Sequence, residues 1–183
     1  MKSDNSKNGT ILFRVEASRS MGTGHLMRCL ALADICKERD MKALFAICDC
    51  PTSLSPWLSK AGASVMQLNN GDDASELLML IKKVHPTGIV IDGYQFDETY
   101  RRALSSSGLP VLAMDDGVTK HALHADIVVN ASPLACAVDY QTIAPKAHLL
   151  LGPAYALLRD EFRHIKQDKK STPSDQQHIL VIN

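Results

Sequence analysis

Short apolar runs alternate along this chain with stretches whose apolar positions recur every three or four residues. The first run, Ile11-Leu12-Phe13, predicts a strand over residues 11 to 16, and its near-continuous apolar start suits a central parallel strand. Leu26, Cys29, Leu30, Ala33 and Cys36 then fall at helical spacing and predict a helix over residues 24 to 39. A second strand is expected over 43 to 48, a short helix over 56 to 61 closed by Gly62, and a third strand over 64 to 68. Asn69-Asn70-Gly71 reads as a turn. Asp72 and Asp73 place negative charge at the start of a helix whose stripe is Leu77, Leu78, Ile81 and Val84. Pro86 and Gly88 end that helix. The fourth strand, Ile89-Val90-Ile91, runs into Asp92-Gly93-Tyr94, and a helix over 97 to 106 follows. A fifth strand over 111 to 114 ends at Asp115-Asp116-Gly117, and a sixth, Ile127-Val128-Val129, ends at Asn130.

Strands alternating with helices predict an α/β fold: a Rossmann-like parallel sheet with helices on both faces. Beyond Asn130 the pattern loosens at Pro133, Pro145 and Pro153. Leu149-Leu150-Leu151 is a short apolar run, and residues 157 to 165 are expected to be helical, with Arg159, Asp160, Glu161 and Arg163 on the wet side. The expected organisation is a disordered lead-in over 1–10, one Rossmann-like domain over 11–165 and a polar linker over 166–177. Residues 178–183, an apolar run, are expected to be the first strand of a further domain.

Composition narrows the function. The 183 residues are 45% hydrophobic and 22% charged, with zero formal net charge. There is no basic field for nucleic acid, no polybasic run for membranes and no apolar stretch near the roughly 18 residues of a membrane helix. The N-terminus lacks the apolar core of a signal peptide, so the cytoplasm is the expected location. The five cysteines are irregularly spaced, which argues against a disulfide framework. Without a second Cys pair or an HxxxH, no zinc site is expected, and most of these cysteines are read as small buried hydrophobes. Trp57 is read as a packing residue.

In a doubly wound sheet, ligands sit beyond the carboxyl ends of the strands. Polar groups collect there at four ends: Glu16 to His25, Asp92 to Tyr94, Asp115-Asp116, and Asn130. The stretch RVEASRSMGTGHLMR, residues 14 to 28, combines a glycine-bearing loop, a helix start suited to an anion, and a histidine. GxxxxGK[ST] is absent, and Met27 stands where a dinucleotide fingerprint needs its third glycine, so neither ATP nor NAD is expected. Two readings of His25 are open on this pattern: an acid/base, or a cap on the helix. Arg28 lies on nearly the same helix face and could hold His25's surroundings, a phosphate oxygen or one of the nearby aspartates. Asp115 and Asp116 taken singly read as caps or loop ion pairs.

The ordered set of motifs resembles a known family. It comprises R-x-E-A-S, G-x-G-H-x-x-R, D-x-Y, D-D, D-x-V-x-N and L-G-P-x-Y-x-L-L-R-x-E-F. The residues are Arg14, Glu16, Ala17, Ser18, Gly22, Gly24, His25, Arg28, Asp92, Tyr94, Asp115, Asp116, Asp126, Asn130 and the run 151–162. They are similar to the UDP-sugar hydrolases of pseudaminic acid biosynthesis, whose relatives include spore-coat polysaccharide proteins. The resemblance implies the N-terminal half of a fold like that of GT-B glycosyltransferases. It also implies metal-independent release of UDP from UDP-2,4-diacetamido-2,4,6-trideoxy-β-L-altropyranose, with no cofactor. It makes His25 the catalytic candidate, activating water. Arg14, Ser18, Gly22, Thr23, Gly24, Arg28, Asp92 and Tyr94 are the substrate-binding candidates.

Two departures bear on the expectation. Glu16 stands where the family often has aspartate, and the chain stops at the first strand of the domain that holds the nucleotide in GT-B-like proteins. Weak or absent activity is therefore expected of the chain alone. The alternatives are a GT-B-type glycosyltransferase domain and a non-catalytic binding module that pairs with a partner supplying the second half. A structural coat protein is a further option.

Overall fold

The computed structural model describes residues 9–16, 24–48, 50, 52–69 and 73–163. The expected lead-in, linker and final strand lie outside these residues, save that Gly9 and Thr10 are described and Thr10 already belongs to the first strand.

Seven strands form the sheet: β1 Thr10–Val15, β2 Lys42–Ile47, β3 Ser64–Gln67, β4 Gly88–Asp92, β5 Val111–Met114, β6 Ile127–Asn130 and β7 His148–Leu151. The helices are α1 Gly24–Glu38, α2 Ser55–Lys60, α3 Asp73–Val84, α4 Glu98–Ser105 and the single turn α5 Asp160–Arg163. The strand order is β3-β2-β1-β4-β5-β6-β7, and every neighbouring pair is parallel. The chain builds outwards from β1 to β3, then crosses back to lay β4 against the other side of β1. The helices that follow β1 and β4 lie on opposite faces of the sheet, so these two strand ends mark the switch point at which such sheets form their ligand crevice. This is the expected α/β Rossmann-like architecture.

Strand alternation divides the core in two. Phe13, Val15, Phe45, Ile47 and Val90 face α1 and α2 and pack on Leu26, Cys29, Leu30 and Leu58. Leu12, Ala46, Ile89, Ile91 and Ala113 face α3 and α4 and pack on Leu77, Leu80, Ile81 and Leu104. Because both faces are covered, both sets are apolar, and the central strands read as unbroken apolar runs. The stripe of α3 is buried at Leu77, Leu80 and Ile81, whereas Leu78 and Val84 are only half-buried at its edge.

One run left without an element takes a place in the sheet, and three expectations need correction. The run at 149–151 is a strand, paired with β6 from Ile127↔His148 to Asn130↔Leu151. Residues 157–159 are not helical; the helix begins at Asp160, and Leu158 and Phe162 are exposed while Arg159 is half-buried. Only Cys29 and Cys36 are buried; Cys48 and Cys50 are half-buried and Cys136 is exposed, because the first two alone lie on the inward stripe of α1. Trp57 is 37% exposed and stacks on the Arg159 guanidinium rather than entering the core.

Gly93 shapes the turn out of β4. Its φ is +156°, and a Cβ there would lie 2.6 Å from Gln95 Oε1, 2.7 Å from Phe96 Cε2 and 2.9 Å from Glu16 Cβ. The β4 and β1 ends approach this closely only because the residue lacks a side chain. Gly93→Ala is expected to cost roughly 2–4 kcal/mol, combining overpacking with backbone strain. Urea unfolding of the variant beside the wild type measures it.

Candidate active site

The crevice between β1 and β4 holds an ionic cluster built by three elements. His25 is the second residue of α1, and Arg28 and Cys29 follow three and four positions later, so all three project from one helix face. Asp92 is the last residue of β4, and it pairs in register with Val15 at the end of β1. Asp116 lies just beyond β5, and Tyr94 two residues beyond β4.

Asp92 is fully buried. Its Oδ1 lies 2.7 Å from His25 Nδ1 and accepts from Arg28 Nη2 at 2.5 Å. Its Oδ2 accepts from Arg28 Nε at 2.6 Å and from the Cys29 thiol at 3.4 Å. Arg28 thus grips the carboxylate with two nitrogens, and its Nη1 donates to Asp116 Oδ1 at 2.5 Å. Arg28 Nη2 also lies 3.1 Å from His25 Nδ1. Nδ1 is nearer to the carboxylate, and a proton on Nδ1 satisfies that contact, whereas an arginine donor cannot be served by the same N–H. The geometry therefore assigns the Nδ1 proton to the bond with Asp92.

The electrostatics follow. The hydrogen bond to Asp92 raises the His25 pKa above its ordinary 6.5 against the opposing effects of burial and of Arg28. Burial works to raise the Asp116 pKa, but bonds from Arg28 and Tyr94 outweigh it and hold that carboxyl below the usual range. Tyr94 is 53% exposed; its hydroxyl donates to Asp116 Oδ2 at 2.8 Å, which raises the phenol's pKa. The Tyr94 ring meets the His25 ring edge-on, with centroids 4.7 Å apart. Burial pushes the Cys29 thiol well up, so it is a neutral donor.

The structure brings together His25, Arg28, Asp92 and Tyr94 from the sequence candidates, with Asp116 and Cys29 added. Gly24 opens α1, and a Cβ there would meet none of the described residues within 4 Å. Ser18, Gly22 and Thr23 lie outside the described residues. Arg14 goes elsewhere. Strand alternation turns it to the α3/α4 face, where it is 2% exposed and its guanidinium lies over the Phe96 ring. It pairs there with Asp73, donates to Tyr100 Oη at 3.0 Å and to Val15 O at 2.9 Å, and meets Cys48 Sγ at 3.2 Å. The buried Asp92 likewise sits beneath His25 rather than at a surface a ligand could reach.

The four strand ends do not form one site. Asp115 is buried and accepts from Gly117 N–H, Thr119 Oγ1 and Tyr140 Oη at 2.6–2.9 Å. Asn130 donates to the same Tyr140 oxygen at 2.8 Å. This second cluster ties the β5 and β6 ends to the chain that crosses towards β7. An apolar groove of about 320 Å³ lies at the opposite, amino-terminal edge of the strands, lined almost wholly by aliphatic side chains such as Leu32, Ile35, Val90 and Leu112. Its polar lining is confined to Cys36, Arg39 and Thr87, and none of the ionic cluster reaches it.

With this geometry in hand, comparison with known proteins is informative. The chain is 29% identical, over 167 residues and 90% of its length, to the UDP-2,4-diacetamido-2,4,6-trideoxy-β-L-altropyranose hydrolase of Campylobacter jejuni. The expected resemblance holds. An uncharacterized protein of Methanocaldococcus jannaschii is 25% identical over 91% of the chain. The chain spans 57% of the first relative and 34% of the second. No protein-family model matches. Among solved structures, a glycosyltransferase of Rickettsia africae superposes with a TM-score of 0.58 over 79% of this chain and 42% of its own, at 14% identity. Anabaena HepE in complex with UDP-glucose gives 0.55 over 79% and 44%, at 12% identity. Acinetobacter baumannii MurG gives 0.54 over 72% and 43%, at 14% identity. At such identities the likeness is one of fold, and it places the chain among Rossmann-like α/β domains. No helix of the described residues is long and apolar enough to cross a membrane.

A raised His25 pKa has a definite consequence for stability. The His25–Asp92 contact contributes fully below the ordinary histidine pKa of about 6.5, and its contribution is lost as pH rises through the elevated folded-state value. NMR titration is expected to show a His25 midpoint above 6.5, and Asp92→Asn is expected to bring it down. An unmoved midpoint in that variant would exclude Asp92 as the cause.

Proposed function

We propose that this chain carries the water-activating site of a UDP-sugar hydrolase acting on a UDP-linked 2,4-diacetamido-2,4,6-trideoxy sugar. The observation that carries the reading is the His25–Asp92 contact at the crevice between β1 and β4, in a chain similar over 90% of its length to a hydrolase of that substrate. With Nδ1 engaged by Asp92, Nε2 is the nitrogen left to take a proton from water. The water oxygen attacks the anomeric carbon, the carbon–oxygen bond to the diphosphate breaks, and UDP departs with the electron pair. UDP is a good leaving group, so activation of water is the task that needs a protein base. Asp92 fixes the tautomer and stabilises the imidazolium as it forms, as an orienting carboxylate does beside a histidine base.

The remaining candidates take supporting roles in this reading. The start of the 15-residue α1 suits the diphosphate, with Ser18, Gly22, Thr23 and Gly24 as its proposed contacts. Tyr94 forms a half-exposed wall against the sugar. Arg28 serves through Asp92 and Asp116, since its nitrogens are already engaged there. Arg14 acts at a distance, holding the β1 end. The uridine is held largely by the part of the C. jejuni relative's length that this chain does not span. A place in pseudaminic acid biosynthesis, in the cytoplasm and without a metal, belongs to the same proposal. The rival reading is a glycosyltransferase, favoured only by the fold of the superposed structures.

The test is UDP release from the UDP-linked diacetamido sugar by this chain alone and by this chain joined to the remaining part of the C. jejuni protein. His25→Ala is expected to lower kcat by about 10²–10⁴, the usual range for a general base. Asp92→Asn should lower it in the same direction, and wild-type activity should rise with pH through the elevated His25 midpoint. A joined His25→Ala protein as fast as wild type would rule out His25 as the base. UDP release that requires an acceptor sugar would favour the transferase.

A further inference from the structure

The two polar clusters at the strand ends meet at a single peptide. Asp115 and Asp116 are consecutive, yet their carboxylates serve different clusters. Asp116 Oδ1 accepts from Arg28 Nη1 at 2.5 Å, and its Oδ2 accepts from the Tyr94 hydroxyl at 2.8 Å. This one side chain therefore clamps the turn after β4 to the end of β5. The same guanidinium carries the clamp on to His25, since Arg28 Nη2 lies 3.1 Å from His25 Nδ1. Asp116 is itself exposed, and an exposed side chain keeps one direction only if its backbone is held.

Asp115 supplies the hold. Its N–H donates to Val129 O at 3.0 Å, which keeps it against the β6 end. Its Oδ2 accepts from Gly117 N–H at 2.9 Å and so closes a turn with Asp116 at the centre; its Oδ1 accepts from Thr119 Oγ1 at 2.6 Å. Behind the carboxylate stands Tyr140, 2% exposed and packed with Leu123, Val128 and Ala144. Its hydroxyl donates to Asp115 Oδ2 at 2.7 Å and accepts from Asn130 Nδ2 at 2.8 Å, while Asn130 Oδ1 accepts from Ser132 N–H at 2.9 Å. Among the described residues, every donor to Asp115 is neutral. A buried carboxylate with no cation beside it is costly, and aliphatic contacts would tie these strand ends without desolvating a charge. A tie alone does not explain the group. A carboxylate gripped from three sides does fix the orientation of the residue that follows it.

We propose that Tyr140 is a positioning residue for the candidate active site: it holds Asp115 so that Asp116 clamps Arg28 and Tyr94 beside His25. The catalytic meaning of this rests on the proposed function, but the coupling of Tyr140 to Asp116 does not.

The test is a double-mutant cycle between Tyr140→Phe and Asp116→Asn, because residues that act through one another give effects that do not add. Tyr140→Phe removes the hydroxyl and keeps the packed ring. The first readout is the His25 titration midpoint, followed by long-range ¹H–¹⁵N correlation spectra on the chain itself, with a His25→Gln variant to tell the seven histidines apart. Asp116 favours the protonated ring, so Asp116→Asn is expected to lower that midpoint, by about half a pH unit for a charge acting across one guanidinium at a partly solvated site. Tyr140→Phe is expected to lower it by a part of that, at least about 0.2, and to add nothing in the Asp116→Asn background. The second readout is UDP release by the joined protein. Tyr140→Phe should lower kcat/KM about fivefold, the scale of one net hydrogen bond, and less than about twofold once Asp116 is Asn. Should Tyr140→Phe not fold, Thr119→Val removes another donor to Asp115 and is read in the same cycle. A midpoint unmoved in the folded variant overturns the proposal, because a purely structural tie would change stability alone. A shift of equal size with and without Asp116 overturns it too. Coupled midpoint shifts together with no UDP release from any joined protein would sink the hydrolase reading and leave the role of Tyr140 standing.

Discussion

A carboxylate shut away from water must be surrounded by donors, and the structure is arranged around that requirement at Asp92. Its donors are His25, Arg28 and Cys29, all from one face of the first turns of α1. The bonds that satisfy the charge are therefore also the bonds that seat the helix on the sheet. Breaking a buried pair of this kind typically costs about 3–5 kcal/mol because the partner is left uncompensated. Fold and chemistry share the same atoms here, so the position of His25 is held by the same contacts that set its proton affinity.

Much of this was legible in the chain. The central strands announce themselves as unbroken apolar runs because both faces of the sheet are covered, and α1 shows its inward stripe at Leu26, Cys29, Leu30, Ala33 and Cys36. His25 and Arg28 could be placed on one helix face from spacing alone. What spacing could not provide was strand order. Asp92 lies beneath α1 because β4 pairs with β1 after the chain has already built β2 and β3, and that neighbour relation is not local. The seventh strand was obscured for a related reason: a short 3₁₀ turn at Ala137–Tyr140, not a helix, lies between β6 and β7, so the usual alternation signal is missing.

The motif residues also show how alternation sorts a contiguous stretch. Arg14 and Val15 are adjacent, yet Val15 packs on the α1 face and Arg14 on the α3/α4 face. Asp115 and Asn130 sit at strand ends like Asp92 but are drawn to Tyr140, a residue from irregular chain that no periodicity flags. A cluster of polar strand ends is thus a good pointer to the active edge of a sheet and a poor guide to which residues on it meet.

Trp57 is the single tryptophan of the chain, and it packs against the segment around α5, not in the core. Arg159 stacks 5.2 Å from its ring and 5.0 Å from that of Phe162, and Arg163 clasps Glu38 with two bonds of 2.9 Å. Indole fluorescence in this protein is consequently a gauge of whether the segment around α5 lies against α1 and α2. An emission change that comes before the loss of helical circular dichroism would mark that segment peeling away while the sheet and the His25 crevice remain intact.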